Sequence, residues 1–312
     1  MSLPDLKTDL GFVTLENPVM SASGTFGYGL ELADFCPPEA LGAVVPKGIS
    51  LKPWPGNPLP RAAETAGGLL NAIGLENMGV ERFLSEALPP LKARGARVGV
   101  NILGKTAEEY AELCRRLTDA PVDFIELNIS CPNLHGGGGL SFGADPAAAG
   151  RLVALSREAA GKVPLVAKLP PLVSDIALLA KICEDNGCRA LSLINSVPAL
   201  AIDHRSGRPL LGNVTGGLSG PPVKPLALRQ VFAAASAVKI PVIGLGGIST
   251  AADALEFFLA GAAAVQVGSA TLADPRAPLS ILEGVRDFLR ERGENLEDYK
   301  KLALTAGKGR LP

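Results

Sequence analysis

The feature that most constrains this chain is a repeated alternation. Eight short runs rich in Val, Ile and Ala occur at 18–23, 43–48, 97–103, 124–130, 165–170, 190–196, 241–247 and 264–270. Segments with helical spacing lie between and after them, at 29–36, 80–94, 106–119, 146–160, 174–187, 224–238, 250–260 and 276–291. Short apolar runs followed by amphipathic segments are βα units, and eight in succession predict a closed (β/α)8 TIM barrel rather than an open doubly wound sheet. Several of the helices start at Thr, Asp-Pro or Ser-Asp, as helix N-termini commonly do. Before the first barrel strand, LKTDLGFVTLENP alternates polar and apolar residues around Gly11, which predicts a β-hairpin closing the barrel bottom. Two connections, 49–79 and 197–223, are long, and long βα loops in a compact domain are usually functional. One domain over 1–312 is the expectation.

Composition narrows the function. Of 312 residues, 47% are hydrophobic and only 4% aromatic, so the core must be built from small aliphatic side chains. Thirty Lys and Arg against 31 Asp and Glu leave a net charge of −1, which disfavours nucleic acid or an anionic membrane as partner. No window approaches the roughly 18 apolar residues of a membrane span, and the acidic start does not read as a leader, so a cytoplasmic protein is expected. The five cysteines, at 36, 114, 131, 183 and 188, form no CxxC pair, which argues against a metal or iron–sulfur centre held by this chain alone.

Polar residues inside the barrel strands locate the chemistry. Alternate strand residues point into the barrel. In FIELNIS, residues 124–130, Ile125, Leu127 and Ile129 are expected to face the helices, which turns Glu126, Asn128 and Ser130 inward. The same reading sends Lys47, Asn101 and Lys168 to the interior near the C-terminal strand ends, the catalytic face of this fold. A buried ammonium needs an anion or strong acceptor, and a bound anionic cofactor would supply one. Glu126, deeper in its strand, reads as a structural carboxylate. The seventh and eighth runs end in GLGGIST and QVGSAT, where barrels commonly bind phosphate, making Gly246, Gly247, Gly268 and Ser269 the phosphate candidates. No GxGxxG loop follows the first strand-like run to point instead to a Rossmann NAD site.

The motifs NPVMSASGTFGYG (17–29), NAIGLENMGV (71–80), NISCPN (128–133), INS (194–196), TGGLSGPPVKP (215–225) and GLGGI (244–248) together resemble class 1 dihydroorotate dehydrogenase, most closely class 1B. The resemblance implies FMN-dependent oxidation of dihydroorotate to orotate in de novo pyrimidine biosynthesis. It also implies electron transfer to NAD+ through a partner subunit that carries FAD and a [2Fe-2S] cluster, around a homodimer core of a heterotetramer. By position, Cys131 matches the family's general base. Lys47, Asn71, Ala72, Ile73, Gly74, Leu75, Asn128, Asn133, Asn195 and Ser196 match its substrate-binding motifs. Ser23, Lys47, Gly48, Asn101, Asn128, Lys168, Ile194, Gly220, Gly246, Gly247, Gly268 and Ser269 match its FMN-contacting ones. The segment LHGGGGLSFG (134–143) after the cysteine is longer than is usual in the family. The alternatives are a class 1A-like homodimer using fumarate, a related flavin-dependent dihydropyrimidine oxidoreductase, and a non-catalytic nucleotide-binding barrel. NAIGLEN and TGGLSG favour class 1B.

Overall fold

The computed structural model of the chain describes residues 3–130, 142–143 and 145–304. Two short strands, β1 (Thr8–Asp9) and β2 (Thr14–Leu15), precede β3 (Val19–Ser21). The connection after residue 49 carries β4 (Ala62–Thr65) and β5 (Gly68–Asn71). Then follow β6 (Gly99–Ile102), β7 (Phe124–Asn128), β8 (Leu165–Lys168) and β9 (Ala190–Leu193), with helices Ala107–Leu117, Pro146–Ala159 and Ile176–Asp185 between them. The second long connection carries β10 (Val197–Leu200), β11 (Ile202–Asp203), β12 (Arg208–Pro209) and β13 (Thr215–Ser219). Helix Lys224–Ala237, β14 (Val242–Leu245), helix Ala251–Leu259 and β15 (Ala264–Val267) complete the alternation before helix Ala277–Arg292.

Seven strands form one parallel sheet in the order β3-β15-β14-β9-β8-β7-β6. The gap between β3 and β6 is closed by the run expected at 43–48, since Ala43 bridges Met20 and Val44 bridges Val98, both parallel. That run is not a regular strand. Ser21 Oγ takes the Val45 N–H at 2.9 Å, and Pro46 has no N–H to extend the ladder. The alternation of the sequence therefore does close into a (β/α)8 barrel.

Two of the expected helices differ. Residues 29–36 make successive turns, because Gly27 and Gly29 adopt positive φ, and only a single 3-10 turn, Pro38–Ala40, follows. The 80–94 helix widens to i→i+5 bonding over Phe83–Ala87, with Leu88 N–H donating to the Phe83 carbonyl. Pro89 and Pro90 lack the N–H groups that would bond the carbonyls of Ser85 and Glu86. The helix starts read from sequence hold: Thr106, Asp145, Asp175 and Thr250 each accept a backbone N–H from the first turn.

The barrel interior is layered. At the bottom, Leu10 and Leu15 of the β1–β2 hairpin pack with Met20, Ala43, Val45, Phe124, Val166, Ala190, Ile243 and Ala264. The hairpin thus plugs the bottom, as its alternation predicts. Gly99 makes this layer possible, since a Cβ there would lie 2.0 Å from the Phe124 ring. Two residues further along β6, β7, β8, β9 and β15 the interior turns polar, with Asn101, Glu126, Lys168, Ser192 and Gln266 all buried. Ile125, Leu127 and Ile129 pack outward in the large core between sheet and helices, as the strand alternation requires.

The two long connections are not loops alone. They meet above the barrel in an antiparallel sheet of order β10-β13-β5-β4, with Asn71 opposite Gly217 and Leu70 opposite Leu218. A small core of Leu70, Ala72 and Leu211 lies on one face of this roof. Among the described residues no helix is long and apolar enough to cross a membrane.

Candidate active site

A cavity of about 330 Å³ lies at the C-terminal ends of the barrel strands, beneath the roof. Strand ends supply its floor: Lys47 and Gly48 from the second run, Asn101 from β6, Asn128 from β7 and Lys168 from β8. The roof supplies Ala62, Leu69, Asn71 and Ser219, and the chain just after β5 adds Ile73, Gly74 and Leu75. The turns after β3, β14 and β15 add Ser23, Gly24, Thr25, Gly246, Gly247, Ile248, Gly268 and Ser269. The walls are mixed, with Leu69, Ile73, Ile194, Val223, Leu245 and Leu272 giving apolar surface suited to a planar ring.

The polar groups form a chain across the floor. Asn101 Nδ2 donates to Glu126 Oε1 at 2.7 Å, while Asn101 Oδ1 accepts from Asn128 Nδ2 at 3.4 Å. Asn128 Oδ1 accepts from Ser130 Oγ at 3.1 Å, and Asn195 Nδ2 donates to Ser130 Oγ at 3.0 Å. The Ser196 N–H then donates to Asn195 Oδ1 at 2.8 Å. Asn101, Asn128 and Asn195 are each bonded at both Nδ2 and Oδ1, which fixes the orientation of the amides that line the cavity. Asn71, on the roof, donates from Nδ2 to the Gly217 carbonyl at 3.3 Å.

Two cations face the same space. Lys168 is buried, and its Nζ makes no hydrogen bond among the described residues, lying 3.8 Å from Glu126 Oε1. Burial pulls the Lys47 ammonium below its ordinary value, against the raising effect of Glu76, and Arg61 nearby lowers it further. Leu75, which also lines the cavity, has φ 59°, a costly conformation for a non-glycine residue, and its carbonyl accepts from Asn77 Nδ2 at 2.8 Å.

The turn after β14 is held from beneath. Gly246 and Gly247 have φ 120° and 80°, and a Cβ on Gly247 would sit 2.8 Å from the Lys224 backbone N and 2.9 Å from the Gly220 carbonyl oxygen. Asp253 Oδ2 accepts from the N–H groups of Ser249 and Thr250 at 2.9 and 2.8 Å, and from both hydroxyls. Asp253 Oδ1 pairs with Lys224 Nζ at 2.6 Å. Burial pushes the Asp253 carboxyl up, but Lys224 and the Ser249 and Thr250 donors together outweigh it and bring it to about 2.

Of the residues predicted from sequence, Lys47, Asn71, Ile73, Gly74, Leu75, Asn128, Asn195 and Ser196 line this one cavity. So do Ser23, Gly48, Asn101, Lys168, Ile194, Gly246, Gly247, Gly268 and Ser269. Ala72 does not. It alternates with Asn71 on β5 and its continuation and so packs into the small core of the roof, with its N–H donated to Arg61 O at 2.8 Å. Gly220 does not line it either; at φ 98°, a Cβ there would sit 2.9 Å from the Gly68 Cα of the roof. Cys131 and Asn133 lie outside the described residues. Sequence reasoning missed Gly24, Thr25, Leu69 and Ser219; the first two follow β3 directly, and their place at a strand's C-terminal end was the available signal.

A family model described as dihydroorotate dehydrogenase matches residues 5–289. Over 291 residues the chain is 53% identical to the catalytic subunit of dihydroorotate dehydrogenase B (NAD(+)) from Pelobacter propionicus, covering 93% of this chain and 95% of that one. It is 52% identical over 303 residues to the subunits of the same name from Geotalea uraniireducens and Geobacter sulfurreducens, covering 97% of this chain and 98% of each. Among solved structures, that of DHODH from Eimeria tenella in complex with ferulenol matches with a TM-score of 0.80 at 22% identity. It covers 96% of this chain and 88% of that one, a likeness of fold.

Proposed function

The chain belongs to the dihydroorotate dehydrogenase family, and from that membership we propose that it oxidises dihydroorotate to orotate as the catalytic subunit of a class 1B enzyme. The observation that carries the reading is the convergence of two cations, Lys47 and Lys168, with Asn71, Asn128 and Asn195 on one cavity at the catalytic face of the barrel. The fit to a flavin mononucleotide rests on the glycine turns. A side chain on Gly247 would collide with Lys224 and the Gly220 carbonyl, whereas a Cβ on Gly268 would meet Ala22 Cβ at an ordinary 3.7 Å. Backbone N–H groups of Gly246, Gly247, Gly268 and Ser269 would hold the phosphate, and Lys168 and Asn101 the ring's pyrimidine edge. When bound there, the flavin supplies the hydride acceptor.

The remaining chemistry falls to the chain's own residues. Forming the ring double bond requires loss of a proton from one ring carbon and a hydride from its neighbour. Cys131 takes the proton; a thiol with an ordinary value near 8.5 is partly ionised at mildly alkaline pH without a second base. Asn71, Asn128, Asn133 and Asn195 offer both donors and acceptors to the imide edge of the substrate, and Lys47 with the Ile73–Leu75 backbone takes its carboxylate. Electrons pass on to NAD+ through a second subunit bearing FAD and a [2Fe-2S] cluster, in a cytoplasmic complex built on a homodimer of this chain.

Anaerobic stopped-flow absorbance tests this. The purified chain is expected to be yellow and to bleach with dihydroorotate. Cys131→Ala should retain flavin and orotate binding yet lose at least about 10²-fold in the rate of bleaching, the scale of a general base. Cys131→Ser should recover only at high pH. Near-normal bleaching by Cys131→Ala would overturn the base assignment, and turnover with fumarate in the absence of any partner would move the chain to the class 1A type.

A further inference from the structure

Glu126 lies beneath the cavity, fully buried, and takes no part in the chemistry above. Its oxygens accept from Asn101 Nδ2 at 2.7 Å on Oε1, and from Ser192 Oγ at 2.7 Å and Gln266 Nε2 at 3.0 Å on Oε2. Lys168 Nζ stands 3.8 Å from Oε1. The amide N–H2 groups only donate, so acceptance at both oxygens suits the ionised carboxylate. Four strands, β6, β8, β9 and β15, thus send one polar group each to a single side chain on β7. Two of those four groups, Asn101 and Lys168, also line the cavity, while Ser192 and Gln266 do not. The carboxylate is therefore one side chain removed from whatever the cavity holds, in surroundings of low polarizability where a charge acts over distance.

We infer that Glu126 is a positioning residue that also sets the reduction potential of the bound flavin: it aims Asn101 and Lys168 into the cavity, and its negative charge offsets part of the lysine's field. The inference rests on the flavin reading above. Reduction adds negative charge to the flavin ring. Lys168 alone would favour that change, and Glu126 opposes it. The net effect is a lower potential, which suits an enzyme whose electrons must go on to NAD+, itself a weak oxidant.

The test is an anaerobic reductive titration of the flavin-loaded chain against a reference dye, with flavin affinity measured in parallel by fluorescence. Glu126→Gln should raise the equilibrium constant for two-electron reduction about tenfold, a rise of about 30 mV. The new N–H2 can be satisfied, because Gln266 Oε1, buried without a hydrogen-bond partner among the described residues, can be turned to accept it. Glu126→Asp, which withdraws the charge from Lys168 and Asn101, should shift the potential in the same direction by less, and it decides the matter by sign if the glutamine variant does not hold flavin. Ser192→Ala removes a hydrogen bond without removing a charge and should leave the constant within about twofold. An unchanged or lower potential in the Glu126 variants, or an equal shift in Ser192→Ala, overturns the inference while leaving the flavin reading intact. A wild-type chain that binds no flavin overturns both.

Discussion

Asp253 illustrates how one residue can carry both stability and site geometry. Its carboxyl, ordinarily at 3.8, is held at about 2 in the fold, a difference of about 2 kcal/mol in favour of the ionised native state. Because the folded value is the lower one, this stabilisation is present above pH 3.8 and is lost as the pH falls toward 2. Asp253→Asn is therefore expected to cost about 1–3 kcal/mol at pH 7. It should also reduce the loss of stability between pH 7 and pH 3. Urea unfolding of both proteins at the two pH values measures this, and an undiminished pH dependence in the variant would contradict it. Other residues of the interior were legible because a strand's period of two leaves no choice. Once Ile125 and Leu127 face the helices, Glu126 and Asn128 must point inward. The same rule applied to ALSLINS and AVQVGSA would have found Ser192 and Gln266, which complete the polar layer around Glu126.

At the scale of elements, the barrel strands and most helices could be read because each is specified locally, by apolar periodicity and a capping residue such as Thr106 or Thr250. The roof strands could not. β5 is a strand because it pairs with β13, about which residues 62–71 carry no local signal, and this pairing decides that Asn71 faces the cavity and Ala72 the small upper core. The turns over 29–36 differ for the opposite reason, since apolar spacing there suggests a helix whose start the positive φ of Gly27 and Gly29 prevents. The hairpin β1–β2 supports a prediction of its own. Leu15 is fully buried in the bottom layer, so Leu15→Ala should cost about 2–5 kcal/mol in urea unfolding. Flavin affinity, followed by fluorescence, should stay within about twofold, because the polar layer separates the plug from the cavity.

Across the whole molecule, stability and chemistry occupy opposite ends. The barrel strands β7, β8 and β9 are buried along their full lengths, whereas β10 and β4 alternate half-buried and exposed residues over the small core of Leu70, Ala72 and Leu211. Native-state hydrogen exchange should therefore find the roof amides opening locally, at least about 2 kcal/mol more easily than those of the barrel strands. Equal protection in the two regions would mean that the roof unfolds only with the barrel. The pairing of β5 with β13 has a consequence for how such a chain can change over generations. Asn71 and Ser219 belong to connections far apart in sequence, yet the β5–β13 register binds them into one unit. A residue gained or lost within β5 would turn Asn71 out of the cavity unless β13 shifted to match. The two connections are thereby constrained to vary together, and chimaeras that exchange one without the other should inherit a mismatched active site on an intact barrel.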